Sequence, residues 1–263
     1  MTDDSPKARL LERAEAYPEV WKQADLLRSR RHPEGYDWHE CCFLPLAGWQ
    51  AIVQKQKPGV TDAALAEEAE VLAAAGAWRV TQGIYRFERP VFDEVVRQGV
   101  SSGVSYEVLF QLPEWCVYVE TPGLKAVGRE LYGFFAHVEH DFNENYPELR
   151  LLLDTDKGLR GACIPLARAL LRDVIDQTVS AAKANSGLLA LVSRRMPPEA
   201  DRTLLDALVA LLLHLCSERA DFGRDGRPVK PKAVRTRKGV RHFPPERVRI
   251  WPVGKGETAS ARE

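Results

Sequence analysis

The chain predicts an α+β fold: a mainly antiparallel sheet over about residues 77–154, flanked by N-terminal and C-terminal helices and followed by a basic C-terminal tail. Two observations carry this reading. Between Ala77 and Asp154 the runs WRVTQGIYRF, EVLFQL, WCVYVE, LYGFFAHVEHDF and ELRLLLD are rich in β-branched and aromatic residues and bounded by Gly, Pro, Asn or Asp, which is strand spacing. On either side the apolar residues return every three or four positions, which is helical spacing. Strands collected in one stretch, with helices before and after, argue against a doubly wound sheet.

The elements follow in order. Leu10, Ala14, Tyr17, Trp21 and Ala24 mark N-terminal helix, with Pro18 either kinking it or opening a second one. Residues 33–59 are rich in Pro and Gly and read as a long connection. A helix is expected from Asp62 to about Ala75, with Thr61 as N-cap, Gly76 as its stop, Leu65, Ala69 and Leu72 inward, and Glu67, Glu68 and Glu70 in water. Four to six strands follow, interrupted by a short helix at about Val91–Gln98, and paired antiparallel because most connections are too short for crossovers. Helices near 165–184, with Leu166, Leu170, Val174 and Ile175 along one face, and near 198–219 come next. The VRIWPV run at 248–253 suits a final strand. This divides the chain into a helical N-terminal segment and connection (1–59), an α+β body (60–222) and a basic tail (223–263).

Charge sharpens the last division. Net charge is zero, yet the 41 residues from Gly223 carry 12 Lys/Arg against 4 Asp/Glu, leaving an acidic body at −8 and a tail at +8. The tail interleaves these charges with Phe243 and Trp251, a pattern suited to RNA or to an acidic partner. Arg235, Arg237, Lys238, Arg241, Arg247 and Arg249 are the contact candidates; a solvated arm folded onto the acidic body is the plain alternative. No stretch approaches the roughly 18 apolar residues of a membrane helix. The charged start is unlike a secretory signal. Five cysteines without framework spacing fit free thiols in a reducing, cytoplasmic setting.

Chemistry is sparse. Cys116 lies in LPEWCVYVE, and a nucleophile there would need His137 or His140 as base. Strand alternation puts Cys116, Tyr118 and Glu120 on one face and Trp115, Val117 and Val119 on the other. Both faces are mainly apolar, so the thiol reads as a small core group. His39-Glu-Cys-Cys and His137-Val-Glu-His-Asp offer metal-ligand types without zinc-module spacing, and alternation sends His137 and His140 to opposite faces. LLLDTDKG at 151–158 lacks the remaining ligands of a calcium loop and reads as a strand-to-turn cap. No catalytic residue, metal site or cofactor is expected.

Six blocks taken in order resemble one family: GAWRVTQGIY (76–85), LPEWCVYVE (112–120), YGFFAHVEHD (132–141), LLLDTD (151–156), LLLHLC (211–216) and VRIWP (248–252). Together they are similar to the second-described family of type V-A anti-CRISPR proteins. The resemblance spans about residues 60–254, and this chain is shorter at its N-terminus and before the basic region. It implies a non-enzymatic protein of the bacterial cytoplasm that recognises a segment of the type V-A CRISPR effector nuclease. It further implies lowered effector production, through translation-linked loss of the effector mRNA. Exposed aromatics and arginines commonly carry such interfaces, which makes Trp78, Arg79, Tyr85, Tyr118 and Trp251 the partner-binding candidates. The alternative reading is an RNA- or ribosome-binding regulatory protein that acts through the basic tail, with the effector mRNA or the ribosome as partner.

Overall fold

The computed structural model describes residues 5–29, 39–126, 128–141, 146–184, 202–237 and 239–255. Two short helices come first, α1 (Ser5–Ala16) and α2 (Val20–Ser29), broken at Pro18 and by a positive φ at Glu19. Then come α3 (Leu46–Gln56) and α4 (Asp62–Trp78). The Thr61 hydroxyl accepts from the Ala64 N–H and caps α4 as expected. Strand β1 (Gly83–Phe87) leads into α5 (Arg89–Gln98), which has proline in its first turn. Strands β2 (Cys116–Glu120), β3 (Lys125–Ala126), β4 (Arg129–Asp141), β5 (Tyr146–Thr155) and β6 (Gly158–Pro165) follow. Helices α6 (Leu171–Ala184) and α7 (Arg202–Cys216) precede β7 (Ala220–Asp221), the β8 (Val234–Thr236) and β9 (Gly239–Arg241) hairpin, and β10 (Arg249–Lys255).

The main sheet runs β6-β5-β4-β2-β1-β10-β7, with β3 beside β4. From β2 to β6 the pairing is antiparallel, as the short connections require. Strand β1 is the exception, parallel to β2 on one side and to β10 on the other. The crossover from β1 to β2 carries α5 and a 3₁₀ turn at Tyr106–Gln111, so EVLFQL is not the strand its composition suggests. Strand β10 supplies the neighbour that β1 lacks locally, with Gly83 opposite Arg249 and Tyr85 opposite Trp251.

Both faces of the sheet are covered. Val117, Val119, Phe134, Leu151, Ile164 and Val253 pack against α5, α6 and α7 in one cluster. Ile84, Cys116, Tyr118, Phe135 and Leu152 pack against the N-terminal helices and α4 in the other. The alternation read from LPEWCVYVE therefore holds within β2, while Trp115, just before the strand, packs with the second cluster.

Several expectations are corrected. The stretch 33–59 contains α3, whose Trp49 is fully buried; its signal was hidden by the flanking prolines and glycines. Gly76 does not stop α4. It lies inside the helix because a β-carbon there would run into the Trp49 indole. Residues 78–82 finish α4 and turn, so the strand begins only at Gly83. Glu70 does not face water but pairs with the buried Arg150 at 3.0 Å. Residues 158–165 form β6, which two glycines and an arginine concealed.

Candidate interaction surface

The most specific sequence blocks meet at one buried carboxyl. Glu114 of LPEWCVYVE is 3% exposed and lies against Gly83, where a β-carbon would collide with the carboxylate. The Thr81 and Tyr85 hydroxyls and the Trp251 indole N–H converge on it from the α4–β1 turn, β1 and β10. None closes a direct hydrogen bond of good geometry, and Glu114 Oε2 is likewise left open. Burial pushes the Glu114 pKa up; the converging donors and the Arg249 charge pull part of it back, leaving it at about 7. The blocks GAWRVTQGIY, LPEWCVYVE and VRIWP are thus three walls of one polar cluster inside the sheet.

A second cluster fixes the base of the β8–β9 hairpin. Arg79, at the end of α4, pairs with Asp25 of α2 and donates from Nη1 to the His242 carbonyl oxygen at 3.1 Å. The Asp25 carboxylate also accepts from the His242 backbone N–H at 3.3 Å. Burial alone would raise the Asp25 pKa, but the hydrogen bonds from His242 and the Arg79 charge hold it below the ordinary carboxylate value. The His242 ring sits edge-on to Phe43 and Trp115, at 5.4 and 5.5 Å between centroids. Arg28 lies over both of these rings. Nearby, the Gln82 amide donates to the Pro245 carbonyl at 2.9 Å and Lys7 reaches the Glu246 carbonyl. The segment after His242 is therefore tied down repeatedly.

The five partner-binding candidates all lie in the interior. Trp78, Tyr85 and Tyr118 are fully buried, and Arg79 and Trp251 nearly so. Trp78 donates to the Gly83 carbonyl at 2.8 Å and so closes the α4–β1 turn. Tyr118 donates to Asp154 at 3.2 Å, and Arg249 stacks on Trp251 at 3.9 Å. Their side chains build the surface from beneath and are not presented to a partner. The basic candidates are placed otherwise. Arg235, Arg237, Arg247 and Arg249 are exposed, Arg241 is half-buried with Nη1 on the Lys22 carbonyl at 3.1 Å, and Lys238 lies outside the described residues.

Strand β10 pairs with β7 only at Gly254 and Lys255, and the part of it before Gly254 is poorly suited to receive a further strand. Arg249 donates to Gln82 and Val253 accepts from Glu88, so the odd-numbered residues face β1 and Ile250 and Pro252 turn outward. Proline has no N–H to offer there.

The chemical candidates resolve into structure. Cys116 lies directly opposite His137 across β2 and β4, a proximity that sequence could not show. Both are fully enclosed: burial drives the thiol well above its usual pKa, and burial together with Arg150 drives the imidazole down to about 3. Two groups that stay neutral without solvent access make a core pair, not a thiolate nucleophile. His39 stacks on His140 at 5.5 Å and its Nδ1 is 3.6 Å from Cys41 Sγ, while His137 points elsewhere. Among the described residues no group of three or more His, Cys, Asp or Glu is placed to hold a metal ion. Asp154 is not a turn cap. It is fully buried between Tyr118 and Arg9, while Asp156 pairs with Arg129 at the surface. Sequence reasoning missed Asp25, Glu114 and His242 as anchors; a lone carboxyl between proline and tryptophan was the one visible sign for Glu114.

A family model for the anti-CRISPR type V subtype A2 family (AcrVA2-like) matches residues 85–262. The chain belongs to this family. The match begins at Tyr85, within β1, and takes in Glu114 and Trp251 of the buried carboxyl cluster, the basic hairpin and β10, while Thr81 and Gly83 lie just before it. A crystal structure of AcrVA2 has the same fold, with a TM-score of 0.65 at 21% identity over 96% of this chain and 84% of that one. No curated protein matches the chain significantly. Among the described residues no helix is long and apolar enough to cross a membrane.

Proposed function

We propose that this member of the anti-CRISPR type V subtype A2 family acts without chemistry of its own. It recognises a polypeptide segment of the type V-A CRISPR effector nuclease in the bacterial cytoplasm and lowers effector production by translation-linked loss of its mRNA. Family membership over residues 85–262 is the observation that carries the reading. The burial of Cys116 and His137 supports it, because burial holds this facing thiol and imidazole in neutral form. The rigid body supports it too: a surface held from beneath by Trp78, Tyr85, Tyr118 and Trp251 binds with little ordering cost.

The test is capture of overlapping effector fragments by the purified protein after exhaustive ribonuclease treatment. Retention of one contiguous fragment is expected. Capture that disappears with the RNA would sink direct polypeptide recognition.

A further inference from the structure

We propose that the β8–β9 hairpin, with Phe243, is a docking site for single-stranded RNA, separate from the surface that recognises polypeptide. Between Arg227 and Arg249 the chain carries nine Lys/Arg against a single acid, Glu246. Some of these cations are already engaged within the fold. Arg227 donates to the Ser217, Leu215 and Gln111 carbonyls, Lys230 to Glu40 and Arg241 to Lys22. Arg235 and Arg237 are exposed and have no ion pair among the described residues. Lys232 and Arg247 are exposed in the same way, and Arg235 and Arg237 are the two of these free charges that the hairpin itself carries.

Beside them lies an open hollow of about 390 Å³ lined by Thr236, Arg237, Arg241 and Phe243. Its aromatic wall is unusual for this protein. Phe243 is 63% exposed, whereas Phe87, Phe92, Phe134 and Phe135 are all buried. The hairpin is held open rather than left loose. The Thr236 hydroxyl closes its turn on the Gly239 carbonyl at 2.7 Å, and His242, one residue before Phe243, is locked by Asp25 and Arg79. An exposed ring beside guanidinium groups, on a rigid base, matches the stacking and backbone neutralisation that single-stranded RNA needs. A duplex would hide its base faces from Phe243. An acidic peptide could use the charges, but three-residue strands give it little backbone to pair with and it has no need of the ring.

The experiment measures anisotropy of fluorescein-labelled oligouridylate with the full chain over a salt series. Arg235→Gln, Arg237→Gln and Phe243→Ala are compared with the parent, and polyglutamate serves as competitor. Each arginine variant should lower the slope of log affinity against log salt by about 0.7. Phe243→Ala should weaken binding about tenfold at fixed salt. All three sites are exposed, so thermal midpoints should stay unchanged. Absence of oligouridylate binding by the parent, unchanged slopes, or displacement by polyglutamate at equal charge concentration would each overturn the proposal. Effector-fragment capture by the same variants should be retained. If it falls in step with RNA binding, the hairpin is the polypeptide surface and the RNA site is wrong.

Discussion

Arg79 donates to the carbonyl oxygen of His242 at 3.1 Å, joining two groups 163 residues apart in the chain. The guanidinium is 3% exposed and shares Asp25 with the His242 backbone, so α2, α4 and the hairpin base meet in one buried ion pair. Removing one partner strands the other charge away from water. Asp25→Ala should therefore cost about 3–5 kcal/mol of unfolding free energy, read by urea denaturation. Asp25→Ala with Arg79→Leu should recover part of that loss. A single-variant loss below about 1 kcal/mol would mean that water reaches the pair.

Glu114 gives a pH prediction with a definite sign. Its folded pKa, about 7, lies above the unfolded value of 4.5, so the native state holds the proton that the unfolded chain gives up. Its contribution to stability is complete below about pH 4.5 and is lost as pH rises to about 7, amounting to about 3 kcal/mol across that window. Glu114→Gln keeps the neutral form at every pH. Its denaturation free energy should match the parent near pH 4 and exceed it at pH 8. Parallel pH profiles for the two proteins would show that Glu114 titrates normally.

Gly76 tests the packing of α3 on α4. A single methyl there meets the Trp49 indole, which also donates to the Leu44 carbonyl at 3.1 Å and cannot retreat freely. Gly76→Ala should destabilise by about 1–3 kcal/mol despite the better helix propensity of alanine. Adding Trp49→Phe should reduce the penalty, and a stabilised Gly76→Ala would refute the contact.

The thiols offer a test of inertness. All five cysteines are buried; burial raises Cys216 to about 12 and also pushes the Cys42 and Cys116 thiols well up. Native protein at pH 8 should resist iodoacetamide and react fully in denaturant, as counted by intact mass. Cys116→Ser should retain effector repression, as should Asp154→Asn, at a cost in stability. Loss of repression by a folded Cys116→Ser variant would reopen a thiol mechanism.

What could be read from the chain beforehand divides by the range of the interaction. Strands β2, β4 and β5 and helix α5 declare themselves through local periodicity. The parallel seat of β10 beside β1 does not, because Gly83 and Arg249 carry no local sign of each other. Gly76 was ambiguous in principle: glycine serves equally to end a helix and to admit a neighbouring ring. Aromatic identity could not separate Trp78, Tyr85 and Tyr118, which are interior, from Phe243, which is not. The excess of charge after Gly223 was visible from composition alone. Which cations remain for a partner was not, since Arg227, Lys230 and Arg241 are engaged by backbone carbonyls distant in sequence.

The basic segment has its two ends stapled to the body, at Arg227 on the end of α7 and at Arg249 in the sheet. It is a bow, not a whip. A free arm would sweep a wide volume and give up that freedom on every encounter. A bow searches little, holds its charges at fixed spacing, and has already lost that freedom during folding. Its reach is set by the sheet, so whatever it touches must come to the body.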